Sequence, residues 1–417
     1  MTISDVADYE TQTALYKVAN ASNPLKALEI FKENESLLKD WRVLYADVND
    51  VGPFKLQRKR FTNRGLISSV FRGKSIWVLD STSIHQRVEY RAGSGLMIDS
   101  NCASYIRSMA YQTTPSSRVL ACVSELNAIP DGLRHINPNL YLWEAQRNWN
   151  ELTVNSCCET LAAVHALKFE DGTKLDINWG LRYRSIYKDA AEALAKSDLA
   201  HFQKQLDEGL REGIAEQVNA IEAMLVRAKI IELSSRKSPK HKLEELIRFM
   251  HDDLSIMMVR ELIICADILL RSEKSSLSKK LHSLQNRPEP LACLTNCAWD
   301  LYFLRVLDQV ASPAVNVTSS VELHVWTMIS FDEDIADIFE LTELSALALH
   351  KNSSLTFPFF NLNFQEWLDT QVGEKRMNGL NYLFQQDAFQ ERAERRSALH
   401  IQTILNNDRL HLLSMLQ

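Results

Sequence analysis

Two short stretches decide the fold of this chain: residues 95–101 read Gly-Leu-Met-Ile-Asp-Ser-Asn, and residues 328–334 read Met-Ile-Ser-Phe-Asp-Glu-Asp. In each stretch an apolar run ends in an aspartate, and a helical pattern begins at once. Continuous apolar runs of this kind are typical of parallel strands, because helices cover both faces of such a sheet. The carboxyl ends of parallel strands share one edge. We therefore expect Leu96–Ile98 and Val325–Ser330 to be neighbouring parallel strands that bring Asp99 and Asp332 together.

The remainder of the chain has mostly helical periodicity, which predicts a helix-rich α/β fold with a parallel sheet flanked by helices. The first part is expected to contain two helices, over 9–19 and 25–39, and a hairpin or paired strands formed by 65–71 and 75–80. We divide the chain into residues 1–90, a helical pair with short strands; 91–350, the sheet domain with a helical insertion at about 115–250; and 351–417, a helical C-terminal extension.

Composition excludes several classes of protein. The 417 residues are 46% hydrophobic and 24% charged, which is ordinary globular composition, and the net charge of −6 argues against coating nucleic acid through bulk charge. No apolar run approaches the ~20 residues that cross a bilayer, and the acidic N-terminus does not resemble a secretory signal, so we expect a cytoplasmic protein without membrane partners.

The seven cysteines are an odd number and include the adjacent pair Cys157 and Cys158, which indicates reduced thiols. Cys293 and Cys297 have helical i, i+4 spacing, but no further soft ligands follow at a recognisable spacing. A zinc site is therefore not expected.

Four acids stand next to apolar sequence: Asp99, Glu261, Asp300 and Asp332. A carboxylate in such surroundings is costly to bury unless it meets a cation or a hydrogen-bond donor. Asp99 and Asp332 have a structural alternative as helix N-caps, and Asp300 has one as an ion-pair partner of Arg305. If the acids converge with no Cys or His between them, they form an oxygen site suited to Mg²⁺ or Mn²⁺.

At this point the chain resembles the PIN-domain nucleases. Residues 95–101 are similar to the opening motif of that family, residues 298–305 around Asp300 to its third-acid helix, and residues 328–336 to its closing motif. The second acid of the family is a glutamate, for which Glu261 fits best by order and distance and Glu144 is the rival. The interval from Asp99 to Glu261 exceeds that of a minimal PIN domain, which is why an insertion is needed.

The resemblance implies a compact α/β/α fold, Mg²⁺ or Mn²⁺ as cofactor, and hydrolysis of RNA rather than DNA, with toxins and antiviral effectors among the bacterial members. Its implied metal ligands are Asp99, Glu144 or Glu261, Asp300, Asp332 and Asp334. The catalytic set carried over is Asp99, Glu261, Asp300 and Asp332.

Phosphate contacts must be local in a chain of net charge −6, and one basic run stands out. The candidate nucleic-acid-binding residues are Lys55, Arg58, Lys59, Arg60 and Arg64, with Arg107 in the helix after Asp99. The alternative is a solvated strand edge kept soluble by charge. The sequence leaves open the nucleic acid that is cut and whether a regulatory protein partner holds the enzyme inactive.

Two other classes of protein are alternatives to a metal-dependent nuclease. In a non-enzymatic interaction or scaffold protein, the long helices would form a docking surface and the acids would be caps and salt bridges. Nucleophilic hydrolysis lacks support, because the chain has no Gly-x-Ser-x-Gly elbow and no glycine-rich phosphate loop.

Overall fold

The fold was taken from a computed structural model of the chain. It describes residues 8–56, 58–60, 65–93, 95–129, 135–169, 174–272, 274–311 and 323–417, without the side chains of Lys59, Arg60 and Ala92. Arg64 lies outside the described residues.

The strands, in chain order, are β1 Trp41–Ala46, β2 Arg58–Arg60, β3 Leu66–Ser68, β4 Ile76–Asp80, β5 Ala92–Gly93, β6 Leu96–Ile98, β7 Ile136–Asn137, β8 Leu323–His324, β9 Thr327–Ser330, β10 Leu344–His350 and β11 Thr356–Phe360. The α-helices are α1 Tyr9–Ala19, α2 Pro24–Glu33, α3 Glu35–Leu38, α4 Ser100–Tyr111, α5 Ser117–Asn127, α6 Asn139–Ala145, α7 Glu151–Ala166, α8 Ile177–Arg182, α9 Lys188–Gln205, α10 Arg211–Ser234, α11 Pro239–Asp252, α12 Val259–Leu269, α13 Ser276–His282, α14 Pro290–Val310, α15 Glu333–Leu341, α16 Phe364–Val372, α17 Glu374–Met377, α18 Gln386–Arg395 and α19 Ala398–Leu416.

A five-stranded sheet in the order β2-β3-β9-β6-β7 contains the two strands that precede Asp99 and Asp332. β6 runs parallel to β9, with Ile98 opposite Ile329, and parallel to β7 on its other side. The prediction that the two apolar runs are neighbouring parallel strands is confirmed. The sheet as a whole is mixed, because β3 pairs antiparallel with β9 and β2 pairs antiparallel with β3.

A second sheet, of order β11-β10-β1-β4, is antiparallel throughout and joins the two ends of the chain. β1 and β4 come from the first ninety residues, whereas β11 comes from the last part. The boundaries drawn at residues 90 and 351 therefore do not separate independent sheets. The C-terminal part is not purely helical either, since it begins with β11.

The predicted hairpin of residues 65–71 and 75–80 is wrong. Its two runs form β3 and β4, but these strands belong to different sheets. Between them, Arg72 and Gly73 have positive φ angles of 53° and 80°, and a Cβ on Gly73 would lie 2.6 Å from Cβ of Arg58. The chain therefore turns in a left-handed conformation while packed against β2, and each run finds its partners elsewhere.

The expected helical insertion at about 115–250 contributes one strand of its own. β7 lies within it and extends the five-stranded sheet beside β6. The predicted helix over 25–39 is broken at Asn34, which ends α2 and precedes α3. Among the described helices, none combines the length and the apolar character needed to cross a membrane.

Candidate functional site: an acid cluster at the sheet edge

Asp99 and Asp332 lie at the same edge of the five-stranded sheet. Asp99 directly follows β6 and caps α4, while Asp332 follows β9 and caps α15. Ser330 links them: its hydroxyl donates to Oδ2 of Asp99 over 2.6 Å and accepts from the Asp332 backbone N–H over 3.0 Å. The parallel register of the two strands thus delivers both carboxylates and a hydroxyl to one place.

Asp99 is both a helix cap and a member of a crowded set of acids. Its Oδ1 accepts from the Cys102 backbone N–H over 2.7 Å, and the residue is only 3% exposed. Burial raises the pKa of Asp99 to about 7, against the opposing effect of the hydrogen bonds from Ser330 and Cys102, and the charges of Asp332 and Glu144 raise this pKa further. Being a cap therefore does not remove Asp99 from the cluster.

Asp300 and Asp334 bring two further carboxylates, from α14 and from the first turn of α15. Burial, followed by the charges of Asp332 and Asp334, holds the pKa of Asp300 well above its usual range. Burial also raises the pKa of Asp332, and the Asp334 charge adds to that effect. The charges of neighbouring acids thus add to the effect of burial on both pKa values, and the ligand atoms that lie within 4.8 Å of one another include carboxylate oxygens of Asp300 and Asp334.

Glu144, on α6, is the glutamate that joins these aspartates. The Ser100 hydroxyl donates to its Oε2, and Arg147 Nη1 lies 3.8 Å from its Oε1. Its charge raises the pKa values of both Asp99 and Asp300. We refer to Asp99, Glu144, Asp300, Asp332 and Asp334 as the acid cluster.

Glu261 has a different setting. Arg305 donates from Nε to Oε1 over 2.7 Å and from Nη2 to Oε2 over 2.8 Å, and the Glu261 side chain is 1% exposed. Burial would raise the pKa of Glu261, but Arg305, with Arg260 behind it, holds this pKa below its usual value. The structure therefore places Glu144 beside the aspartates and pairs Glu261 with Arg305. Arg305, considered above as a partner of Asp300, is the partner of Glu261 instead.

Lys280 and Cys297 complete the site, and sequence reasoning missed both. Lys280, on α13, forms an ion pair with Oδ2 of Asp334. Burial would lower the pKa of Lys280, but the hydrogen bond to Asp334 and the charges around it hold this pKa above its usual value. Cys297 offers a sulfur that lies, together with carboxylate oxygens of Asp300 and Asp334, in a group whose atoms are all within 4.8 Å of one another.

The expectation of an acid site without a cysteine is therefore corrected. Cys297 precedes Asp300 by three residues on α14, a spacing that places both on one helix face, and this was the signal available in the sequence. A hydrogen bond between Cys297 and Cys293 lowers the pKa of Cys293 to about 6 and raises that of Cys297.

The basic run reaches the same sheet edge through its backbone. Arg60 lies opposite Leu66, and Leu66 lies opposite Ser330, so the end of β2 is two strands away from the end of β9. Arg58 faces the other end and contacts Glu340 over 3.4 Å, while Lys55 is exposed. Arg107 lies on α4, 4.0 Å from Glu159. The predicted phosphate contacts of Lys59, Arg60 and Arg64 fall on side chains outside the described part of the chain.

We compared the chain with protein-family models, with curated proteins and with solved structures, and none of them gave a match.

Proposed function

We propose that the protein is a divalent-cation-dependent nuclease whose active site is the acid cluster, with RNA as the preferred substrate. The observation that carries the proposal is that five carboxylates from two strand ends and three helices lie near one another with one lysine among them: the charges of neighbouring acids add to burial in raising the pKa values of Asp99, Asp300 and Asp332. Such a cluster is unfavourable by itself and is relieved by a cation.

The donor set fits a divalent cation. Asp300 accepts no hydrogen bond from any described residue, and Lys280 occupies only Oδ2 of Asp334, so oxygen lone pairs remain available. Asp99, Glu144, Asp300, Asp332 and Asp334 are the oxygen ligands that we assign to it. When bound, a divalent cation can activate water and offset the charge of a phosphodiester during in-line attack.

The chain's own residues would orient this chemistry. Ser330 positions the Asp99 carboxylate and the Asp332 backbone together, and Ser100 holds Glu144 against the start of α4. Lys280 leaves positive charge beside Asp334, where it offsets part of the repulsion and can attract a phosphate oxygen. The backbone of β2 ends two strands away from the end of β9, and we assign the approach of a nucleic-acid strand to this side of the sheet.

The decisive experiment is incubation of the purified chain with single- and double-stranded RNA and DNA, in Mg²⁺, in Mn²⁺ and in EDTA. Cleavage should require the cation and should disappear in Asp99→Asn. Asp176→Asn is the matched control, because Asp176 caps α8 by accepting from Trp179 N–H over 2.7 Å, as Asp99 caps α4. Asparagine preserves both caps. Equal cleavage by the two variants, or no cleavage by the unaltered chain under any condition, would remove the proposal.

The second candidate is a non-enzymatic interaction protein, which the capping roles of Asp99 and Asp332 favour. In that case Asp99 and Asp332 are helix N-caps, and Asp334 forms an ion pair with Lys280. The same pair of variants separates the two functions, because a protein of this kind neither needs a cation nor distinguishes Asp99→Asn from Asp176→Asn in any nuclease assay.

A further inference from the structure

Beside the acid cluster lies one side chain that a site made only of oxygen ligands does not explain. Cys297 is completely buried, and its sulfur lies with oxygens of Asp300 and Asp334 in a group whose ligand atoms are all within 4.8 Å of one another. We propose that Cys297 is a ligand of the bound cation and makes the site select a divalent transition-metal ion, such as Mn²⁺, over Mg²⁺. This inference rests on the cation site of the proposed function, but not on its substrate.

The three side chains come from elements that hold them firmly. Cys297 and Asp300 are three residues apart on α14, a helix of 21 residues, so they lie on one face a single turn apart. Asp334 is in the first turn of α15, whose N-cap Asp332 follows β9. Because Cys297 and Asp334 are 0% and 3% exposed, the packing around them limits their rotamers. The group is thus arranged before any cation arrives.

A positively charged group already lies at this position. The Lys280 ammonium is bound to Oδ2 of Asp334, and its charge also acts on Asp300 and on Cys297. Oδ1 of Asp334 and both oxygens of Asp300 accept no hydrogen bond from the described residues. The position therefore attracts positive charge and still has free lone pairs. This observation supports a cation site separately from the number of acids nearby.

Ligand chemistry then favours one class of cation. Mg²⁺ requires near-octahedral oxygen ligands and retains its waters, so a sulfur contributes nothing to its binding. Divalent transition metals accept thiolate more readily than Mg²⁺ does, least so Mn²⁺ and more strongly Co²⁺ and Zn²⁺, so a sulfur ligand raises their affinity relative to Mg²⁺. Binding requires that the Cys297 thiol lose its proton, which passes to solvent as the metal–sulfur bond forms. The cysteine thus gives a selectivity that carboxylates alone cannot give.

The direct test uses Co²⁺ as a spectroscopic probe of the purified 417-residue chain, because cobalt bound to thiolate shows a charge-transfer absorption in the near ultraviolet. We expect this absorption in the unaltered chain and its loss in Cys297→Ser. Cys293→Ser is the matched control: Cys293 is on the same helix one turn earlier and contacts Cys297, but it is not in the ligand group, and serine keeps a hydroxyl at that contact. It should retain the absorption.

A second measurement gives the selectivity. Thermal unfolding in a series of Mn²⁺ and Mg²⁺ concentrations yields the apparent dissociation constant of each ion. Cys297→Ser should weaken Mn²⁺ binding by about tenfold or more and leave Mg²⁺ binding nearly unchanged, since even indirect partners of metal ligands contribute about 10–100-fold.

Three outcomes would overturn the inference: no cobalt–thiolate absorption in the folded chain, an absorption that persists in Cys297→Ser, or one that is lost only in Cys293→Ser. Its failure is distinguishable from failure of the proposed function. Cation-dependent cleavage with an unchanged Mn²⁺ preference in Cys297→Ser would leave the nuclease and remove the sulfur ligand. A cobalt–thiolate absorption in a chain that cleaves no nucleic acid would support the sulfur ligand and contradict the nuclease.

Discussion

At the scale of single residues, the acid cluster is short of positive charge. Five carboxylates act on one another, and Lys280 is the one ammonium that the described residues place among them. Asp300 is the member with the least support, because no described donor reaches it. Burial, followed by the charges of Asp332 and Asp334, disfavours its ionised form, and the folded protein carries this cost when no cation is bound.

Asp300→Asn should raise the stability of the cation-free protein, because it replaces a carboxyl whose ionisation burial and the neighbouring acids oppose, without deleting a hydrogen bond from a described residue. We expect a gain on the order of 1 kcal/mol in EDTA, together with loss of cation-dependent cleavage and of the stabilisation by Mn²⁺. Thermal unfolding with and without Mn²⁺ measures the stability in EDTA and the stabilisation by Mn²⁺, and a nuclease assay measures the cleavage. A lower melting temperature in EDTA would mean that Asp300 has a structural partner and would contradict this account.

Glu144 and Glu261 are the two candidates for the second acid, and their replacement by glutamine is expected to have opposite effects on cleavage and on stability. Glu144→Gln should abolish cleavage with little change in stability, since Gln keeps the contact to Ser100. Glu261→Gln should cost on the order of 3 kcal/mol in unfolding free energy, because it leaves Arg305 without its carboxylate in a buried setting, and should leave cleavage per folded molecule intact. Urea unfolding and a nuclease assay on both variants test the assignment. The reverse pattern would return the role to Glu261.

At the scale of elements, the contact of α11 with α18 contains a pH-sensitive histidine. His251 is 3% exposed, and its Nδ1 accepts from Arg392 Nη1 over 3.0 Å. Burial lowers the pKa of His251, and the charges of Arg392 and Arg395 lower it further against the weaker opposing effect of Asp252 and Glu391. His251 is therefore neutral in the folded protein at neutral pH.

Because the pKa of His251 is lower when folded than its unfolded value of 6.5, the unfolded chain binds the proton more tightly. Its contribution to stability is fully present above pH 6.5 and is lost as the pH falls through the folded pKa. His251→Gln, which can still accept from Arg392, should flatten the fall in melting temperature between about pH 7 and pH 5. An unchanged pH profile in this variant would place the sensitivity elsewhere.

At the scale of the whole molecule, the C-terminal part is integral to the fold. α19 packs along α10 and buries Ile401, Leu405 and Leu412. Arg227 on α10 donates two hydrogen bonds of 2.8 Å to Asp408 on α19. β11 in turn forms the edge of the four-stranded sheet.

A chain that ends at residue 350 should therefore fail to fold cooperatively. Each fully buried aliphatic side chain of α19 contributes about 1.5–3 kcal/mol, so their loss removes a large part of the ~5–15 kcal/mol that keeps a protein folded. Circular dichroism and limited proteolysis compare it with the full chain. A truncated chain that unfolds with a sharp transition and resists protease would show that residues 351–417 are a dispensable extension.

The sequence by itself determined the two strands that end in Asp99 and Asp332 and their parallel pairing, because a short apolar run followed at once by a helix has few alternatives. It also determined the helical majority of the chain. It did not determine which sheet each strand joins: β3 and β4 are adjacent in sequence, yet they pair with β9 and β1. Strand partners depend on contacts between distant residues, which local periodicity does not contain.

The members of the site divide in the same way. Asp99, Asp300, Asp332 and Asp334 follow from local patterns, whereas the tertiary structure decided that Glu144 joins them and that Glu261 meets Arg305. Lys280 and Cys297 became members only once α13 and α14 were placed against α15. A helical pattern specifies which face of a helix is buried, but the packing of helices far apart in sequence decides what that face meets.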